Sequence, residues 1–398
     1  MNRLQEKENT FVNNFQTSLD WKPFGLYIHV PFCASTCSYC NFYQKKPKKS
    51  DIQLYLKSIR KEFEQFPPPR EADTVFFGGG TPGILKEEDL KELCQIVKPF
   101  LAKEYEWSLE MAPSAVKPNK MRMLKELGIN RISMGIQSFN PNYLDKLGRL
   151  HSADKARAAF HIIRNEGFKN VNIDFIFAVP GQTEEDWTRE LDQAFALDPE
   201  HISTYCLIFE EDAALYLKFS QGILKKDENL EAKLFESTWT WMRNHGYKQY
   251  EIANYAKPGF SCKHNLNTWR MHEWRGYGPA AASQQNNQRF SNISSLSEWA
   301  HGIQNKKPHY FEFEKLSEQK LFEDCILFGL RMNEGVDLRS LRSRFPNAEH
   351  EKAKELFHEL ESHQLIHPLL DESSHLRLTN TGRLLADQIG VQLLERMA

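Results

Sequence analysis

Three cysteines lie close together near the start of the chain, as Cys33, Cys37 and Cys40. The other cysteines are single and far apart in the sequence, at positions 94, 206, 262 and 325. A loop with three thiolates is better explained by metal binding than by packing. Structural zinc usually takes four ligands, whereas an iron–sulfur cluster is held by thiolates. Three thiolates leave either assembly one ligand short, and on a four-iron cluster that leaves one iron with a position open to a small molecule.

A run of three glycines and two acidic residues are further candidates for ligand binding. Gly78 to Gly80 follow a strand-like run, and without Cβ atoms their backbone can approach a ligand closely, although a tight turn is the alternative interpretation. Glu110 ends a strand-like run, and Asp174 lies inside an apolar run. A carboxylate in an apolar setting is costly unless a polar or cationic group pairs with it. A ribose hydroxyl or an amino group would satisfy Asp174, whereas a strand-end Glu such as Glu110 is usually solvated.

These residues follow or end the strands of a regular pattern. Strand-like and helical segments alternate between about residues 26 and 245, with short connections, which predicts an α/β fold with a parallel sheet. Both an open doubly wound sheet and an incomplete barrel agree with the pattern. In either, functional residues gather at the C-terminal ends of the strands, so we expect the cysteine loop and the other candidates to meet there. The strand-like segments are 26–30, 73–77, 107–111, 131–136, 171–177 and 201–208.

Length and charge limit the classes of function. A chain of 398 residues suggests two domains, or one large α/β domain with an appendage. The formal net charge of −2 argues against nucleic-acid binding. No apolar run is long enough to span a membrane, although transient membrane association stays open. The first 20 residues are polar and have no signal-peptide core, so we expect a cytoplasmic protein, in which clustered cysteines are metal-binding or catalytic rather than disulfide-bonded.

The alternation stops near residue 250, and the chain divides there. We expect a polar lead-in over 1–24 and the α/β core over 25–250. Residues 251–310 are rich in Asn, Gln, Gly and aromatic side chains, which predicts irregular structure. Residues 311–398 show helical periodicity and one short strand, which predicts a mostly helical, winged-helix-like domain.

Several motifs in chain order resemble the radical S-adenosylmethionine (SAM) superfamily. Within it they resemble the branch of oxygen-independent coproporphyrinogen III oxidases and haem chaperones of the HemW family. The resemblance covers about residues 25–390 and implies an incomplete (β/α)6 barrel of the radical SAM type. The motifs are Tyr27-Ile-His-Val-Pro-Phe-Cys33 with Cys37 and Cys40, Gly78-Gly-Gly-Thr-Pro82, Arg131-Ile-Ser-Met-Gly-Ile-Gln137, Asn172-Ile-Asp174, Tyr250-Glu-Ile-Ala-Asn-Tyr255 and His264-Asn-Leu-Asn-Thr-Trp269.

The resemblance also implies the cofactors and their ligands. Cys33, Cys37 and Cys40 would hold a 4Fe-4S cluster whose open iron takes the amino-acid end of SAM. For Tyr27 and Tyr39, the alternative interpretation is ordinary packing. For Gln137 and Arg149, it is an ordinary surface role. The implied SAM contacts are Tyr27, Tyr39, Gly79, Gly80, Thr81, Glu110, Gln137, Arg149, Asp174 and Ile208.

Haem is the implied cargo. In the chaperone branch a His-Asn-x-x-Tyr-Trp motif is associated with haem binding, and here it begins at His264 with Thr268 in place of the tyrosine. His264 is the implied axial ligand, and Cys262 is a possible second one. Further departures from the family pattern are Ala280 and Ala282, the latter in place of a histidine.

Three functions remain open. A haem chaperone would bind haem and transfer it to an acceptor protein that the sequence does not identify. A coproporphyrinogen III oxidase would decarboxylate its substrate through a radical formed from SAM. Those enzymes resemble this chain but carry another cysteine where Phe42 stands, and a longer N-terminal extension, so the resemblance favours the chaperone. A radical enzyme for an unrelated substrate is the third possibility.

Overall fold

The computed structural model describes residues 22–307, 309–369 and 375–397, so the predicted lead-in lies almost wholly outside the described residues. The strands are β1 (Gly25–Val30), β2 (Ala72–Gly79), β3 (Leu101–Met111), β4 (Arg131–Gln137), β5 (Val171–Phe177), β6 (His201–Cys206), β7 (Lys248–Glu251), β8 (Asn254–Ala256), β9 (Trp274–Tyr277), β10 (Ala282–Gln285), β11 (Gln288–Asn292), β12 (Tyr310–Lys315), β13 (Val336–Asp337) and β14 (His375–Leu376). The helices are α1 (Lys49–Gln65), α2 (Glu87–Val97), α3 (Pro118–Leu127), α4 (Pro141–Lys146), α5 (Ala153–Asn165), α6 (Glu184–Ala196), α7 (Ala214–Ser220), α8 (Glu228–Asn244), α9 (Lys263–Trp269), α10 (Leu296–Asn305), α11 (Glu318–Gly329), α12 (Leu338–Arg344), α13 (His350–Ser362), α14 (Asn380–Leu384) and α15 (Ala386–Met397).

Strands β1 to β6 pair in parallel and in sequence order. A doubly wound sheet reverses its order part of the way along, and this one does not. The sheet also curls, as a contact between the segments after its first and last strands indicates. The backbone nitrogen of Leu215, after β6, donates to the carbonyl of Ser38, after β1, at 2.8 Å. In a flat sheet the two strands would lie about 24 Å apart, at roughly 4.8 Å per strand. The predicted incomplete (β/α)6 barrel is therefore confirmed.

Both edges of this barrel are extended by later parts of the chain. β9 pairs in parallel with β1 and is followed by antiparallel β10, β11 and β12, while β8 and β7 add to β6. The prediction of irregular structure for 251–310 is wrong, since this segment carries β8 to β11, α9 and α10. Its strands have three to five residues and largely polar side chains, so they show no apolar alternation. Hydrogen bonds hold them instead, as where the Asn292 side chain donates to Glu62 at 2.8 Å.

The barrel has an apolar outside and a polar inside. Outward side chains such as Trp107 and Leu109 of β3 are fully buried beneath the helices. The alternating inward positions carry polar groups, because successive strand residues point to opposite faces. The lumen is thus lined by Thr74, Glu106, Ser108, Glu110, Arg131, Ser133, Asn172, Asp174, His201 and Ser203.

The C-terminal residues form a second apolar cluster from helices α11 to α15 and the β13–β14 ribbon, as the predicted helical character requires. This unit docks on the floor side of the barrel. The Asn333 amide donates to the carbonyl of Tyr250 in β7 at 3.0 Å, and the Arg331 guanidinium lies 5.1 Å from the Trp269 ring of α9. Over the described stretches of the chain, no helix has the length and apolar character needed to cross a membrane.

Candidate functional site

The cysteine loop begins where β1 ends, at the C-terminal mouth of the barrel, and backbone hydrogen bonds hold it there. The Cys33 amide donates to the carbonyl of Lys45 at 3.0 Å, which closes the loop on itself. The Ser38 amide donates to the carbonyl of Leu147, beyond β4, at 3.1 Å. The loop therefore bridges the mouth from β1 to the opposite strands.

The three thiols are free, partly exposed and near one another. Burial raises the pKa of Cys33, and the charges of Cys37 and Cys40 raise it further. The Thr81 hydroxyl lies 3.4 Å from Cys33 Sγ, and Arg149 Nη1 donates to Cys37 Sγ at 3.4 Å. No three His, Cys, Asp or Glu side chains in the described ranges converge on one metal ion. Thiolates are the ligands that iron–sulfur clusters take, so the three side chains are of the right chemical type to hold one.

The glycine run of β2 closes on the end of β1 without space for side chains. Gly79 has a φ of 100°, and a Cβ there would lie 2.6 Å from the ring of His29. A Cβ on Gly80 would lie 2.7 Å from the carbonyl oxygen of Phe32 and 2.8 Å from that of Val30. Glycine at both positions therefore allows the ends of β1 and β2 to approach this closely.

His29 supports this arrangement, although the sequence does not identify it as a site residue. The buried ring donates from Nε2 to the carbonyl of Tyr43, 3.1 Å away, so Nδ1 accepts from the Tyr27 hydroxyl at 3.1 Å. Burial lowers the pKa of His29 to about 4, so the ring is neutral. The sequence signal that could have identified His29 is strand alternation, which places it on the same face of β1 as Tyr27.

Two carboxyl groups face the lumen just below the mouth. Burial and the charge of Asp174 raise the pKa of Glu110 to about 8, although the Gly79 amide donates to it. Burial also raises the pKa of Asp174, which accepts from Asn172 Nδ2 at 2.7 Å. Such groups favour a cation or a hydrogen-bond donor between them. The ammonium and hydroxyl groups of SAM could donate to these two carboxyl groups, and its sulfonium would supply a cation beside them.

A bulge at the end of β4 directs Gln137 to the mouth. The register with β5 shifts between Gly135 and Gln137, and Gln137 has a φ of 69°. Arg149 Nη2 donates to the Gly135 carbonyl at 2.8 Å, and His151 Nε2 donates to the Ile136 carbonyl at 3.0 Å. Buried Arg149 Nε has no partner among the described residues, so a ligand oxygen can still bind there. The sequence did not indicate His151.

The remaining predicted SAM residues lie at the same end. Tyr27 is half-buried on the lumen side of β1, and Tyr39 is half-buried beside an apolar cluster at the mouth. Ile208 lies just beyond β6 and is 62% exposed. The structure thus brings the predicted cluster and SAM residues to one mouth, with Ile208 at its rim.

The two haem candidates lie elsewhere, at the floor of the barrel. His264 Nδ1 is 2.9 Å from the Thr74 hydroxyl, and its ring stacks on Phe76 with centroids 5.3 Å apart. Thr74 pairs with Gly25, the first residue of β1. It therefore lies four strand residues, or about 13 Å, below Gly78 at the mouth.

Both haem candidates are buried in this conformation. His264 is 7% exposed, and Cys262 is fully buried. Cys262 Sγ and the His264 amide both donate to Glu106 Oε1, at 3.4 and 3.2 Å. Burial lowers the pKa of His264 to about 3, which leaves a neutral imidazole. An iron ligand can form here only if α9 moves away from β2.

Comparison with known proteins agrees with this architecture. Residues 27–194 match the radical SAM superfamily, and 316–385 match the HemN C-terminal domain. The solved coproporphyrinogen III oxidase (HemN) of Escherichia coli has the same fold, with a TM-score of 0.80 over 94% of this chain and 90% of that one at 20% identity.

Curated relatives define the family. A heme chaperone HemW of Bacillus subtilis is 31% identical over 91% of this chain and 97% of its own length. A heme chaperone HemW of Mycobacterium tuberculosis is 33% identical over 94% of this chain and 95% of its own length. With its radical SAM core, its HemN C-terminal domain and these relatives over nearly their whole length, the chain belongs to the HemW family of the radical SAM superfamily.

Proposed function

We propose that this protein is a haem chaperone that binds haem and transfers it to an acceptor protein. The observation that carries this proposal is the similarity to proteins named heme chaperone HemW over 95–97% of their length. The match includes the barrel and the C-terminal unit together, so both would serve the same activity here.

We also propose a 4Fe-4S cluster and SAM at the barrel mouth. Cys33, Cys37 and Cys40 would hold the cluster, and a reducing, cytoplasmic compartment would keep these thiols free for iron. When bound, the cluster supplies an iron with an open coordination position. The residues of the chain bind and orient SAM through the glycine backbone, Glu110, Asp174, Gln137 and Arg149, with Tyr27, Tyr39, Thr81 and Ile208 around them.

Haem titration tests the chaperone proposal. Wild-type protein is expected to shift the Soret band of haem with a defined stoichiometry, and His264→Ala is expected to weaken binding at least about tenfold because an axial ligand is lost. His301→Ala, an exposed histidine on α10, is the control and should bind as wild type does. Circular dichroism checks that the His264 variant is folded.

The outcomes of that titration are distinct. Wild-type protein without haem binding would contradict the chaperone proposal. Unchanged affinity in folded His264→Ala would leave the chaperone in place and assign the axial ligand to another residue.

The radical-enzyme alternative predicts product formation. With cluster, SAM and a low-potential reductant present, we expect no conversion of coproporphyrinogen III, since Phe42 replaces the additional cysteine of the decarboxylases and is 63% exposed. Chromatographic detection of protoporphyrinogen, with HemN of Escherichia coli as the positive control, would reverse the ranking of the two functions.

A further inference from the structure

We propose that Tyr250 and His201 are positioning residues for Asp174 and act on it through Asn172. The inference rests on the proposed SAM site and identifies groups beneath that site which determine how it presents its carboxylate. Neither Tyr250 nor His201 lies at the mouth. Their action would be to orient another residue.

The contacts form an unbroken chain across the lumen. The chain starts at the Tyr250 hydroxyl, beside the buried Cys262, with which Tyr250 shares a small apolar cluster. That hydroxyl lies 2.8 Å from His201 Nε2, and His201 Nδ1 lies 2.6 Å from Asn172 Oδ1. Asn172 Nδ2 donates to Asp174 Oδ1 at 2.7 Å. The chain therefore extends from the floor of the barrel to the candidate SAM carboxylate.

Each hydrogen bond in this chain has only one possible direction. Asn172 presents its NH₂ group to Asp174, so its oxygen faces His201 and can only accept. His201 must then carry its proton on Nδ1. A neutral imidazole leaves Nε2 as an acceptor, so the Tyr250 hydroxyl donates to it. Burial keeps the pKa of His201 well below its usual value, which agrees with a neutral ring.

The surroundings permit no other arrangement at low cost. Tyr250 is 9% exposed, Asn172 2% and His201 not at all, so any rotation leaves a buried polar group without a partner. Ser203 Oγ lies 2.7 Å from Asn254 Oδ1 and 3.1 Å from Asn172 Oδ1. Asn172 Nδ2 also donates to Ser133 Oγ at 2.8 Å, and the Ser133 hydroxyl donates to Asp174 Oδ2 at 3.3 Å. Aligned hydrogen bonds in a low dielectric strengthen one another. The orientation of Asp174 is therefore fixed from below.

The chain also joins the two ends of the barrel. Its first residue, Tyr250, packs against Cys262, which immediately precedes α9 and His264. Its hydroxyl group comes from β7, on which the C-terminal unit docks through Asn333. Displacement of α9 would loosen the packing of Cys262 against Tyr250 and so reach Asp174 through the chain, without any contact at the mouth.

SAM affinity of the anaerobically reconstituted full-length protein tests the proposal. By calorimetry, Tyr250→Phe is expected to raise the SAM Kd about three- to tenfold, as loss of one buried hydrogen bond predicts. The matched control is Tyr255→Phe, another buried tyrosine, on neighbouring β8, whose hydroxyl lies outside the hydrogen-bond chain, and its Kd should equal that of wild type. Iron content and circular dichroism confirm that each variant is folded and loaded.

Rescue separates positioning from a purely structural role. The side-chain amide of His201→Asn can still donate to Asn172, whereas His201→Leu cannot, so the asparagine variant should bind SAM more tightly than the leucine variant at equal thermal stability. Tyr250→Phe should have no further effect in a His201→Leu background. Equal affinities of the two His201 variants, or additive losses, would overturn the proposal. A loaded wild type that binds no SAM would instead contradict the proposed SAM site itself.

Discussion

Cys37→Ala is expected to abolish iron binding after anaerobic reconstitution, against about four iron atoms per chain in wild type. Cys33, Cys37 and Cys40 are the proposed cysteine ligands of the cluster, so removing one would leave two. Arg149 would also lose the sulfur to which it donates. Colorimetric iron analysis and the visible absorption of the cluster measure the loss.

Cys94→Ala provides the control for this experiment. Cys94 is a free cysteine fully buried in α2, away from the mouth, and should leave the iron content unchanged. An iron content in Cys37→Ala equal to that of wild type would show that the cysteine loop does not hold the cluster.

Gly80→Ala is expected to give the second large effect. Its Cβ would lie within 2.9 Å of three backbone atoms, the Phe32 and Val30 carbonyl oxygens and the Phe32 nitrogen. Backbone atoms cannot rotate away as side chains do, so β1 and β2 must separate, at a cost of about 1–3 kcal/mol. Separation of the two strands would also move the cysteine loop away from the glycine backbone, and we expect SAM binding to be lost.

Gly78→Ala is the matched variant two residues earlier. Its Cβ would approach only the rings of Phe76 and Tyr27, at 3.0–3.2 Å, and these can shift. Chemical denaturation should show a clearly smaller loss of stability than for Gly80→Ala. Equal losses would mean that the close approach to β1 is not what requires glycine at position 80.

Local signals in the sequence were sufficient for the parts of the fold made of short-range contacts. Thr183 directly precedes α6, and its hydroxyl accepts from the Asp186 amide at 3.1 Å in a complete capping box, which is a local signal for a helix start. The six parallel strands could be read from apolar runs followed by turns. Their meeting at one mouth followed from the rule that parallel strands end at the same side.

Contacts between distant residues could not be predicted in the same way. The position of His264 at the floor depends on hydrogen bonds to Thr74 and Glu106, far earlier in the chain. The link of His201 to Tyr250 depends likewise on the tertiary fold, since nothing in either local sequence indicates the other. The motif drew attention to His264 but did not show that its ring is buried.

The pairing of β1 has a consequence for the order of synthesis. β1 pairs with β2 on one side, but on the other side Gly25 pairs with Trp274 of β9. While the chain emerges from the ribosome, β1 therefore remains an open edge until residue 277 has been made. An open strand edge invites incorrect pairing, and the cysteine loop follows directly from it. Iron that bound before residue 277 was made would bind to an incomplete barrel. The synthesis of β9 therefore sets the earliest stage at which the mouth is complete.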